Sequence, residues 1–99
     1  MKIDNLLFIF NNFGIAKQLD KLHEECGELS EAITISMQAY QGDADKAIQT
    51  PAIISEMADV AVMLAQFKFA EPHIWEQVEA EAEAKIDRTL DRIKSGYYE

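Results

Sequence analysis

The chain has 99 residues, enough for one domain (residues 1–99) with a modest core, and 48% of them are apolar, which excludes a disordered polymer. Eighteen acids against nine bases leave a formal net charge of −9, which argues against a nucleic-acid polymer as partner, because phosphate backbones need a basic surface. Four glycines and two prolines are too few for a turn-rich β fold, so an all-α class is expected.

The first predicted helix runs from about Asp4, a capping residue, to Asn12. Ile3, Leu6, Leu7, Phe10 and Phe13 recur at helical spacing, and Gly14 is suited to a left-handed cap. The apolar run Leu6–Phe10 is too short to span a membrane and no cleavage-site pattern follows it, so no membrane partner is expected. A second helix spans about Ile15 to Tyr40, with Leu19, Leu22, Cys26, Leu29, Ile33 and Met37 as its apolar stripe. Cys26 is the only cysteine; no intrachain disulfide can form, and a reducing, cytoplasmic location is expected, with Cys26 in the core. Residues 43–50 read as a loop or one helical turn.

Thr50-Pro51 is a helix start, a capping hydroxyl followed by proline at the first helical position. This third long helix reaches about Ala70, and Glu71-Pro72 breaks it. A fourth runs from about Pro72 to Ser95. Ile74, Val78, Ala82, Ile86, Leu90 and Ile93 mark its buried side, and Gly96 stops it.

Carboxylates on helices ordinarily mean a solvated face. At about 100° per residue, Glu24 and Glu31 fit that reading, but Glu25 falls between Leu29 and Ala32, and Glu28 between Ala32 and Ile35. The helix from Ala52 to Ala70 is apolar nearly all round, and its only charges are Glu56, Asp59 and Lys68. Acids there face desolvation, which a raised pKa, a buried base or a metal ion can relieve. Two Glu-x-x-acid pairs on helices able to pack side by side suit a hard cation, Mg²⁺ or Mn²⁺. Lys85 and Arg92 border the apolar side of the last helix, with Arg88 slightly further round. Their stems can cover the core or form ion pairs such as Glu81–Lys85; beside a metal site they would also suit a polyphosphate.

The motif Glu24-Glu25-Cys26-Gly27-Glu28-Leu29, followed by Glu56-Met57-Ala58-Asp59-Val60, resembles the signature of the MazG-like all-α nucleoside triphosphate pyrophosphohydrolases. The stretch from Lys85 to Glu99 looks like the end of small, phage-type members, so the resemblance covers essentially the whole chain. It implies a four-helix MazG-like bundle completed by homodimerisation, as a dimer or dimer of dimers with sites near subunit interfaces. It also implies Mg²⁺ at Glu25, Glu28, Glu56 and Asp59, and hydrolysis of a (d)NTP between the α and β phosphates to the monophosphate and pyrophosphate. Lys85 and Arg88, with Arg92 as a third, match positions where the family contacts phosphate.

On this reading cations neutralise the triphosphate and activate a water, and one carboxylate, Glu28 for example, takes its proton. A di-iron carboxylate bundle would need Glu-x-x-His pairs, which His23 and His73 do not supply. A non-catalytic helical oligomerisation module, or a nucleotide-binding regulatory module without turnover, is the rival from another class. The first explains the apolar third helix but not the acids within it.

Overall fold

Helical periodicity with few breakers gives five helices and no strand in the computed structural model, which describes residues 1–99. Helix α1 covers Ile3–Phe13. It begins one residue before the expected start: Lys2 holds the N-cap position without a side-chain bond, and Asp4 lies in the first turn, where its charge favours the helix dipole. Gly14 ends α1 at φ 84° and ψ 161°, not in the left-handed helical geometry expected, and its N–H donates to Phe10 O. This extended, positive-φ residue lets α2 (Ile15–Ala39) start at once. Gln41 and Gly42, both at positive φ, turn the chain after Tyr40. The ambiguous stretch contains one helical turn, α3 (Ala44–Ala47), capped by Asp43 Oδ1, which accepts from the Lys46 N–H.

Helix α4 covers Pro51–Ala70, with Thr50 as the expected cap. Thr50 Oγ1 donates to Ala47 O at 2.8 Å and accepts from the Ile53 N–H at 3.4 Å. Its single proton is thus spent, so Ser36 donates in the 3.2 Å Ser36–Thr50 hydroxyl contact. That contact ties the end of α2 to the start of α4. Helix α5 covers Pro72–Lys94.

The core lies where α1, α2 and α4 meet. Leu6, Phe10, Ile53 and Met63 are buried there, and the Phe10 and Phe67 rings meet edge to face at 5.2 Å. Two expectations fail within one chain. The face of α2 that is buried carries Gln18, Glu25 and Ser36, whereas in the expected stripe Leu22, Leu29 and Met37 are half-buried and Leu19, Cys26 and Ile33 are exposed. Helix α5 packs chiefly on α4 and buries no residue, so Ile74, Val78, Ile86, Leu90 and Ile93 are also exposed. The cause on α2 is an offset of about 75°, at about 100° per residue, between its buried edge and the middle of its apolar stripe, so the polar edge faces α4 most directly. The fourth long helix therefore does not close a bundle within the chain. No helix is long and apolar enough to cross a membrane.

Candidate metal centre

Helices α2 and α4 run antiparallel along a polar seam. Gln18 meets Gln66 at one end, with Gln18 Nε2 donating to Gln66 Oε1 at 2.6 Å. Ser36 meets Thr50 at the other. These ties fix the register, and between them each helix presents two acids three residues apart, hence on one face. One carboxylate oxygen from each of Glu25, Glu28, Glu56 and Asp59 lies within 4.8 Å of the others. Glu25 is buried, Glu56 half-buried, and Glu28 and Asp59 exposed, so the cluster opens to solvent on one side.

Neutralisation within the chain is incomplete. Lys21 Nζ stands 3.1 Å from Glu25 Oε1 and 3.6 Å from Glu24 Oε1. Glu25 Oε2 and Glu56 Oε2 are buried without a hydrogen-bond partner. Such atoms are costly, because nothing replaces the water they give up. The negative charge of Glu25 raises the pKa of Glu28, with help from desolvation and then from Glu56. Lys21 is held above its ordinary pKa, first by its hydrogen bond to Glu25, then by the charges of Glu24 and Glu25. Two orphaned buried oxygens in an all-carboxylate donor set fit a hard divalent cation.

The predicted bases are not part of this cluster. Lys85, Arg88 and Arg92 lie on α5 and form no ion pair with the four acids, nor does Lys85 pair with Glu81. Arg92 lies over the Tyr97 ring at 4.8 Å, so its guanidinium is engaged at the C-terminus. Glu31 is exposed, as expected, and stands at an open cavity of about 230 Å³ that Glu28, Ser36 and Glu56 also line. Apolar periodicity and motif spacing do not single out Lys21, Gln18 or Gln66. The available signal was the recurrence of Gln18, Glu25 and Ser36 on one edge of α2.

Compared with protein-family models, curated proteins and solved structures, the chain matches none.

Proposed function

We propose that this chain is a divalent-cation-dependent nucleoside triphosphate pyrophosphohydrolase, releasing pyrophosphate and a nucleoside monophosphate. The observation that carries the reading is the convergence of two Glu-x-x-acid pairs with buried, unpartnered oxygens on Glu25 and Glu56. Its resemblance to the MazG-like signature supplies the reaction. Glu25, Glu28, Glu56 and Asp59 would hold Mg²⁺ or Mn²⁺. The cation's chemistry is to neutralise phosphate charge and to acidify a neighbouring water. Glu28, exposed at the rim of the cluster, is assigned to accept the water's proton. Lys85 and Arg88 would hold the phosphates in line, and homodimerisation is the route by which α5 of a second copy could bring them to the acids.

The test is a panel of (d)NTPs with Mg²⁺, reading pyrophosphate against orthophosphate. Wild type should release pyrophosphate, and Glu56→Gln should lose more than about a hundredfold in turnover, the upper end for losing only an outer-shell partner of a ligand. Orthophosphate as first product, or full activity in Glu56→Gln, overturns the assignment. Binding of nucleotide with no turnover would favour a regulatory module.

A further inference from the structure

Next to the carboxylates, α1, α2 and α4 border a second, half-open cavity, of about 400 Å³. That lies within the range of small-molecule pockets, about 300–1,000 Å³. Ile9, Phe13 and Met63 form its apolar walls, Gln18 and Gln66 also line it, and Lys17 and Lys21 supply its positive charge. We infer that this cavity is the seat of a nucleobase-type ring, read by the Gln18–Gln66 amide pair. The inference rests on the pyrophosphohydrolase reading in one respect: the ring belongs to the nucleotide whose phosphates meet the carboxylates.

The amides are the first argument. Gln18 is 4% exposed and Gln66 1%, the largest side chain so completely buried. An amide carries two N–H donors and an oxygen with two lone pairs. The bond between the two side chains uses one donor and one acceptor. The sole partner of Gln66 Nε2 is the Met63 sulfur at 3.5 Å, a weak acceptor. Replacing both glutamines by apolar residues of similar shape would cost little or even stabilise the fold. Beyond tying α2 to α4, the pair therefore offers its spare donor and acceptor positions to a ligand in the cavity that it lines. Nucleobase edges present such groups side by side, and a side-chain amide pairs with them in two-point fashion. An apolar side chain from a second copy would cover Ile9 and Phe13 but make no use of the spare amide donors and acceptors.

Position is the second argument. Lys21 lines this cavity and also touches Glu25 at 3.1 Å, so the pocket and the carboxylate cluster share a residue. Met63 follows Asp59 by one turn of α4, which places the apolar wall directly beyond the cluster. A ring in the cavity would thus lie next to phosphates at the carboxylates. The cavity on the other side of the cluster is lined by Glu28, Glu31 and Glu56, and its charge suits cations rather than a ring with phosphates.

The experiment uses the full chain, free of metal, with uridine, cytidine, adenosine and guanosine as probes, so phosphate and turnover play no part. Protein-observed NMR should show at least one nucleoside, at millimolar concentration, shifting the side-chain amides of Gln18 and Gln66 and the methyls of Ile9 and Met63. Gln66→Met should weaken that nucleoside about tenfold, as expected for a lost buried hydrogen bond. Gln18→Met serves the same purpose if Gln66→Met fails to fold by circular dichroism. No shift at these resonances with any of the four overturns the inference. So do equal affinities in wild type and a folded variant, or the same resonances moving with protein concentration alone, which would show a second copy filling the cavity. If nucleosides bind here yet no triphosphate is hydrolysed, the catalytic reading fails and the ring site stands.

Discussion

Lys21 Nζ is 3.1 Å from Glu25 Oε1, while Oε2 of the same carboxylate has no partner. One ammonium, half-exposed and shared with Glu24, therefore stands beside a cluster of four acids. In the metal-free protein it is the only ion-paired cation there, and a divalent ion would take over its role. Lys21→Met should lower the melting temperature of the metal-free protein and enlarge the rise caused by Mg²⁺. Binding to the folded state alone stabilises by about 2.7 kcal/mol at a hundred times Kd, ample for thermal shift to read. An equal Mg²⁺-induced rise in wild type and variant would show that Lys21 does not stand in for the ion.

The repulsion among these acids also sets a pH dependence. Glu28 has a raised pKa in the folded chain, chiefly because of Glu25. Between the ordinary glutamate value of about 4.3 and the raised one, the folded state binds more protons than the unfolded state. Its contribution is therefore full below that window, and stability is lost as pH rises through it. The metal-free protein should thus gain stability from mild acid at this site, and Glu28→Gln should flatten the profile. Mg²⁺ prefers the ionised carboxylate, so its affinity should rise over the same window. Urea midpoints against pH, with and without Mg²⁺, check both; a metal-free Glu28→Gln profile identical to wild type would remove Glu28 as the source.

The helices were legible because periodicity, the Thr50-Pro51 start and the Glu71-Pro72 break are local signals. The four acids were legible because they stand out against apolar neighbours on α4 and flank the stripe on α2. The offset on α2 was not. Counting apolar residues points to Leu19, Cys26 and Ile33, whereas the buried edge is chosen by pairings across helices, Gln18 with Gln66 and Ser36 with Thr50. Such pairings leave no mark in the spacing of either helix alone. The exposed apolar side of α5 was misread for a related reason: a wheel shows which side seeks cover, but not whether the cover comes from the same chain.

Lys85 and Arg88 supply a test of how sites are assembled. On α5 they make no ion pair with the carboxylates of their own chain. If phosphates are held by α5 of a second copy, Lys85→Ala and Arg88→Ala should raise KM or lower kcat without changing the melting temperature. Mixing a Glu56→Gln chain with an Arg88→Ala chain should then restore part of the activity, because one of the two sites in a mixed dimer carries both intact halves. Restoration absent from a mixture shown to exchange subunits would place acids and bases in the same chain. Unchanged kinetics in both alanine variants would return these residues to a solvated face.

The last prediction is that the protein is at least a homodimer. Only nine of the 99 residues are buried in one chain, although 48% are apolar. The outer side of α4 exposes Ile54, Met57 and Leu64, with Ile54 57% accessible. Leu19 and Ile33 on α2 and the row from Ile74 to Ile93 on α5 add further apolar surface. Soluble monomers rarely leave large apolar patches open, and a stable interface needs about 1,200–2,000 Å² in total. The opposing term is charge, since each chain carries −9. Salt should therefore tighten the dimer by screening, and Mg²⁺ should do so more strongly where it neutralises the carboxylates. Sedimentation at low micromolar concentration should give a dimer or a multiple of it. Leu64→Asp, which sets a charge on the outer side of α4, should shift the protein toward monomer and lower its melting temperature, whereas Glu83→Gln on exposed α5 surface should do neither. A folded, soluble wild-type monomer under these conditions, with and without Mg²⁺, would overturn the prediction, and with it the route by which α5 reaches the acids.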